Sequence, residues 1–193
     1  MKSLSLSVIC LFVFLPISYS MISFQDLSSV NEAFAQRVFE ESFPIEERPM
    51  FDTIYLRPRN MFHFAVVYDD NNPIGIFTYW HFGSWVYVEH FAVAPEYRNH
   101  NYGSRIMTSF KQEISLPIIL EVEKPDNDMA LRRINFYKRL GFVLNEGISY
   151  LQPSYHEGGD MLPLDIMSTS PLSETDFAPM RQMLYSFVYL VEF

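Results

Sequence analysis

Thiol is almost absent from this chain. Of 193 residues only Cys10 is a cysteine, so neither an intrachain disulfide nor a cysteine-based zinc site can form. After Met21 there is none at all, which excludes a cysteine acyl-enzyme for the body of the protein. The five histidines show no metal-ligand spacing, so no metal site is expected. Basic residues are also scarce, 14 against 23 acidic ones, for a net charge of −9. Such a balance disfavours a nucleic-acid backbone as partner and steers cationic ligands, amines among them. There is no internal repeat, no low-complexity tract, and no long apolar run beyond the first twenty residues.

What remains is rich in core-forming residues. Hydrophobic residues make up 49% and aromatic residues 17%, enough for one globular domain with appendages. Met1–Ser20 stands apart. Lys2 is followed by a nearly continuous apolar run from Leu4 to Ile17, and Ser18-Tyr19-Ser20 offers small residues where a signal peptide is cut. The run is short for a membrane span of about 20 residues. Ile9 before Cys10 argues against a lipoprotein signal. Either the protein is exported and begins at Met21, or translation starts at Met21.

Downstream, patterning predicts a short strand at Ile22–Phe24. A helix from Val30 to Phe43 follows, opened by the capping-box pattern Ser29-Val30-Asn31-Glu32. Pro44 and Pro49 bracket a short helical piece, and Phe51–Asn60 reads as an acceptor-side loop. An antiparallel meander is expected from Phe62–Tyr68, Ile74–His81 and Trp85–Val93. Gly103–Ser115 reads as a helix, Pro117–Val122 as a buried strand, Met129–Leu140 as a helix and Phe142–Leu144 as a strand start. Ser154–Asp160 reads as a loop between strands at Tyr150–Gln152 and Leu162–Met167. Ser168–Asp176 reads as a linker, and Phe177–Phe193 as an apolar terminal helix docked on the domain or on a second copy.

Two segments carry chemistry. A strand ending at Val93 feeds Pro95-Glu96-Tyr97-Arg98-Asn99-His100-Asn101-Tyr102-Gly103-Ser104 into a helix N-terminus. First-turn N–H groups without intrahelical partners make an anion site, and Arg98 adds a cation. Further on, Tyr137-Lys138-Arg139-Leu140-Gly141-Phe142 closes a helix at a glycine cap. The first segment resembles the Arg/Gln-x-x-Gly-x-Gly/Ala signature of the GCN5-related N-acetyltransferases (GNAT), with Asn101 where the first glycine is usual. Asn tolerates the left-handed backbone angles that such a turn requires. The second is similar to that family's Tyr-x-x-x-Gly-Phe signature. The run Glu121–Pro125 through Arg132–Tyr137 looks like an uncharacterised bacterial branch.

The resemblance implies an α/β fold with a mixed, mostly antiparallel sheet, splayed at its centre, and helices on both faces. It divides the chain into a leader-like 1–20, an N-acetyltransferase domain 21–167, and a linker and C-terminal helix 168–193. It implies acetyl-CoA as co-substrate, held by the backbone of Phe91, Ala92 and Val93 and by the loop of Arg98, Asn99, His100, Asn101, Tyr102, Gly103 and Ser104. The acetyl group would pass directly to a small-molecule or peptide amine in a ternary complex. A cytosolic donor favours Met21 as the start and a cytoplasmic enzyme, with export as the alternative. A homodimer is a candidate assembly, and no nucleic-acid or membrane partner is expected for the folded domain. The rival function is a non-catalytic acyl-CoA-binding or interaction module.

Acetyl transfer needs a base for the amine, stabilisation of an oxyanion and a proton for the leaving thiolate. The resemblance assigns the last task to Tyr137. Glu89 leads as base: alternation puts it on one strand face with Tyr87, Phe91 and Val93, where apolar neighbours would raise its pKa. A water-relayed base is equally open. Glu121 and Glu123, sharing a face of the next strand, are runners-up. His90 and His100 read as packing or surface residues, and His156 as part of a loop.

Overall fold

A computed structural model describes residues 21–191; the leader-like segment Met1–Ser20 lies outside them. The predicted meander forms. Ile22–Asp26 is β1, Phe62–Asp69 is β2, Asn72–His81 is β3 and Val86–Val93 is β4, each antiparallel to the next. Ile118–Glu123 (β5) then pairs parallel to β4. Val143–Leu144 (β6), Tyr150–Gln152 (β7) and Leu162–Ser168 (β8) complete an eight-stranded sheet of order β1-β2-β3-β4-β5-β8-β6, with β7 also on β8.

Helices cover both faces. Glu32–Ser42 (α1) buries Ala35, Val38 and Phe39 against Phe64, Trp80 and Tyr87. Glu174–Met183 (α4) and the π-helical turn Leu184–Val188 share this core through Phe177, Leu184 and Val188. On the opposite face, Tyr102–Glu113 (α2) and Asp128–Arg139 (α3) bury Ile106, Met107, Phe110 and Ile134 against Phe77, Val88 and Leu120. Each fully buried aliphatic or Phe side chain stabilises by about 1.5–3 kcal/mol, so two cores on one sheet hold it rigid between them. No helix among the described residues is long and apolar enough to cross a membrane.

Two expectations need correction. The capping box at Ser29 does not form, and α1 starts at Glu32. Asn31 turns its side chain backwards instead: its Oδ1 accepts from the Ser28 N–H at 2.8 Å and its Nδ2 donates to the Asp26 carbonyl at 3.2 Å. A local Asx-type bond has out-competed the cap. At the other end, the linker is shorter and the helix starts earlier than expected. Ser168 belongs to β8, and Ser173 caps α4 in a capping box with Asp176. The far end of the expected helix, Glu192 and Phe193, lies outside the described residues, and the helix stops before it. It widens into the π turn and ends, with Leu190 in the left-handed region at φ 56°.

The end of α3 follows the sequence closely. Gly141 sits at φ 84°, its N–H bonds the Lys138 carbonyl at 3.0 Å, and the Phe142 N–H bonds the Tyr137 carbonyl at 3.1 Å. This is a Schellman motif, with the Phe142 ring edge-on to Tyr137 at 5.5 Å. The Gly-Phe pair therefore holds Tyr137 in place. Replacing Gly141 by Ala puts a Cβ into a left-handed position 3.3 Å from Lys111 Nζ. The expected cost is about 1–2 kcal/mol in urea unfolding.

Candidate active site

Parallel pairing of β4 with β5 covers only Val86–Ile118, Tyr87–Ile119 and Val88–Leu120. Beyond those pairs both strands continue, to Val93 and Glu123, without a shared ladder. The gap opens a cleft of about 590 Å³. Glu89, Phe91, Ala92, Val93 and Arg98 line it from the β4 side, Glu121 and Glu123 from β5, and Tyr137 of α3 lines it as well. Beyond Val88 the β5-facing edge of β4 is left without a partner strand.

A bulge in β4 is the local reason for the gap. Thr78 pairs with His90 and Tyr79 with Val88, so Glu89 opposes nothing on β3. Glu89 and His90 consequently fall on the same sheet face. Tyr87 packs in the α1-side core, while Phe91 and Val93 pack with Val86 and Val88 on the α2 side. The expected grouping of Glu89 with Phe91 and Val93 is thus wrong, because one extra residue reverses the alternation. The Thr78 hydroxyl holds the bulge by accepting the His90 N–H at 2.9 Å.

The expected electrostatics of Glu89 are wrong as well. Its side chain is 0% exposed, and both oxygens are occupied. Oε2 accepts from Arg57 Nη1 at 2.5 Å and Trp80 Nε1 at 2.8 Å, and Oε1 accepts from the Tyr155 hydroxyl at 2.9 Å. Burial works to raise its pKa, but the Arg57 charge, His90 and these bonds together hold it below the usual carboxylate range. Arg57 itself lies over the Phe62 and Trp80 rings, at 4.7 and 5.2 Å from their centroids. Glu89 is a paired anion that anchors the bulge, and its raised pKa does not materialise.

Glu121 has the environment expected of Glu89. It faces the α1-side core, where burial pushes its pKa up to about 7 against the opposing tyrosine hydroxyls. The Tyr189 hydroxyl donates to it at 2.9 Å. Glu123, the other runner-up, pairs with Arg133 at 3.0 Å and is 41% exposed. Burial also raises the Tyr137 pKa, to about 12, keeping the phenol protonated at neutral pH.

The loop after β4 leads into the N-terminus of α2. Arg98 reaches back so that its Nε donates to the Val93 carbonyl at 3.0 Å and its Nη2 to Ser42 Oγ at 3.1 Å. Asn99 and Asn101 both take left-handed backbone, at φ 66° and 61°. Asn101 is the N-cap of α2, so the first-turn N–H groups of Tyr102, Gly103 and Ser104 have no intrahelical acceptor. A Cβ on Gly103 would touch only the Phe136 ring, at 3.4 Å. The loop's own packing thus does not demand a glycine there. Asn99 through Ser104 continue from Arg98 outside the cleft walls. Tyr102 turns its hydroxyl away, to Asp69 Oδ2 at 2.8 Å, and His100 Nδ1 lies 2.8 Å from the Arg98 carbonyl.

The sequence model of the Acetyltransferase (GNAT) family matches residues 29–142, more than half of the chain. The protein belongs to the GNAT acetyltransferase family. A protein of Bacteroides thetaiotaomicron, provisionally described as a GNAT-family acetyltransferase, is 40% identical over 88% of this chain and 99% of its own, with a TM-score of 0.83. YjbC of Bacillus subtilis (strain 168), provisionally named an acetyltransferase, is 26% identical over 70% of each chain. Arabidopsis thaliana Naa50, solved in complex with the bisubstrate analogue CoA-Ac-MVNAL, shares the fold: 18% identity over 77% of this chain and 98% of that one, TM-score 0.56. The chain is therefore an N-acetyltransferase by family, and acetyl-CoA is the donor that GNAT enzymes use.

Other residues of this GNAT site carried no signal in sequence. Arg57, Tyr155 and Tyr189 are far apart along the chain, and no motif marks them. His156 bonds the Ile45 and Arg48 carbonyls, pinning the short helical piece between Pro44 and Pro49. His90 packs between Phe39 and Phe43. Among the described residues no cluster of His, Cys, Asp and Glu is placed to hold a metal. Replacing Glu89 by Gln strands the Arg57 charge and is expected to cost about 3–5 kcal/mol in chemical denaturation. The joint change Arg57→Met with Glu89→Leu should cost less than Glu89→Gln alone. Because the folded pKa is depressed, the wild-type pair should stabilise fully above pH 4.5 and fade only below it.

Proposed function

We propose that the protein moves the acetyl group of acetyl-CoA directly to a primary amine, with Glu121 as the base and Tyr137 as the acid. One observation carries this reading: the splay of β4 and β5 exposes a near-neutral carboxylate and a protonated phenol to the same cleft.

The donor's pyrophosphate fits the N–H groups of Tyr102, Gly103 and Ser104, with Arg98, Asn99, His100 and Asn101 shaping the turn. Its pantetheine arm fits the open edge of β4 at Phe91, Ala92 and Val93, where backbone N–H groups can polarise a thioester carbonyl. When bound, the donor supplies an activated acetyl group. Glu121 removes a proton from the amine, which makes its lone pair available. Tyr137 gives a proton to the departing sulfur. No thiol lies in the domain to carry the acetyl group, so attack is direct. The Glu47, Glu121 and Glu123 carboxylates along the acceptor wall favour a cationic amine. Small-molecule and peptide amines both suit this reading; the names of two structural relatives mention spermidine and a peptide bisubstrate analogue.

Free-thiol release from acetyl-CoA over a panel of amines tests the reading. The wild-type enzyme should release thiol with at least one amine. Its kcat/KM should fall as pH drops through about 7, because the base must be ionised to accept a proton. Glu121→Gln should lower kcat about 100-fold at pH 8. Tyr137→Phe should lower kcat at least about tenfold, with acetyl-CoA affinity by calorimetry nearly unchanged. Binding of acetyl-CoA without turnover on any amine would replace the enzyme with an acyl-CoA-binding module.

A further inference from the structure

The C-terminal segment packs behind the cleft wall that carries Glu121. After α4 the helix widens into the π turn Leu184–Val188, closed by the Tyr189 N–H on the Leu184 carbonyl at 3.2 Å. Leu184 and Val188 anchor the turn in the core, and the Tyr185 hydroxyl ties it to the Leu151 carbonyl on β7 at 2.5 Å. Leu190 then takes left-handed backbone, which costs a non-glycine residue about 1–2 kcal/mol. The Val191 N–H closes the end on the Tyr185 carbonyl at 2.9 Å. A π turn and a strained residue flanking one side chain mark a segment shaped to deliver it.

That side chain is Tyr189. It is buried, with its ring against Tyr155 at 5.0 Å, and its hydroxyl lies 2.9 and 3.1 Å from the two oxygens of Glu121 and 3.0 Å from the Tyr87 hydroxyl. A phenol has one proton to donate, and an ionised carboxylate can only accept. Tyr189 therefore donates to Glu121 and accepts from Tyr87, forming a chain Tyr87→Tyr189→Glu121.

We propose that Tyr189 is a positioning residue of the acetyltransferase: its hydroxyl orients the Glu121 carboxylate toward the cleft and supplies the hydrogen bond that stabilises its ionised form. This rests on the reading of Glu121 as base. Every element packed around that carboxylate contributes to its field. Tyr87 and the ionised Glu89 come from β4, Tyr155 from the loop after β7, and Tyr189 from the C-terminal turn. Tyr150 of β7 lies close to the same carboxylate, short of hydrogen-bonding geometry. Across the ladder β8 offers only Ile166. On β5 itself, Glu123 points its charge at Arg133. Of these groups Tyr189 alone donates a hydrogen bond within 3.1 Å of both Glu121 oxygens.

The test is a pH titration of the full chain labelled with glutamate bearing ¹³C at the carboxyl, followed by NMR, with Glu121→Gln identifying the resonance. Tyr189→Phe keeps the ring contacts and removes one hydroxyl. A hydrogen bond to a charged group is worth about 1.5 kcal/mol or more, so the Glu121 midpoint should rise by about one pH unit. Thiol release should then fall about tenfold at pH 6.5 and less at pH 8.5, since a raised midpoint depletes the base most at low pH. Tyr87→Phe removes the donor behind Tyr189, a hydroxyl that also bears on Glu121 itself, and should move the midpoint the same way by less; if Tyr189→Phe does not fold, an unmoved midpoint in Tyr87→Phe overturns the hydroxyl chain. A midpoint unmoved in the folded variants overturns the positioning role. Full turnover in Glu121→Gln overturns the base instead, so the two failures are separable.

Discussion

The parallel ladder between β4 and β5 ends after Val88 and Leu120, and the site is a consequence of that ending. Two strands that part expose backbone groups on both edges. Such groups, unpaired and shielded from water, demand a partner. An extended ligand arm can supply one, as a third strand would. A single bulge at Glu89 sets the point of departure, and the Thr78 hydroxyl and the Arg57–Glu89 pair keep it from relaxing. Charge burial on this scale is expensive unless every lone pair is met. Here Trp80 joins Arg57 on one oxygen and Tyr155 donates to the other, so neither oxygen is left bare.

Neighbouring strands thus carry two buried glutamates with opposite fates. Glu89 faces a cation and stays ionised; Glu121 faces neutral hydroxyls and titrates near neutrality. Burial is common to both, so burial does not decide which one suits base chemistry. The charge of the partner decides it. The two sheet faces differ likewise: the proposed base Glu121 faces the α1 side, where Tyr189 and Tyr87 pack, and Tyr137 packs on the α2 side.

Much of this was legible in the residues. The αL turn at Asn101, the Schellman end at Gly141-Phe142, the meander and the buried strand at Pro117–Val122 are local features, set within a few residues by dihedral preference or apolar pattern. Patterning failed where one residue was inserted. Strict alternation through Val86–Val93 places Glu89 with Phe91, and no local signal announces a bulge, since its hydrogen bonds come from β3. The cap at Ser29 failed for a related reason: Asn31 had a competing bond to residues behind it.

By itself, then, the sequence determined the turn before α2, the glycine end of α3, the order of elements and the lack of a thiol after Met21, because these are written in neighbouring residues of the chain. Tertiary structure alone decided which glutamate carries a near-neutral pKa. Arg57 lies 32 residues from Glu89, and Tyr189 lies 68 residues from Glu121. A pKa is set by charge and solvent within a few ångströms, and those distances exist only once the sheet, the loop after β7 and the C-terminal turn have closed on one another.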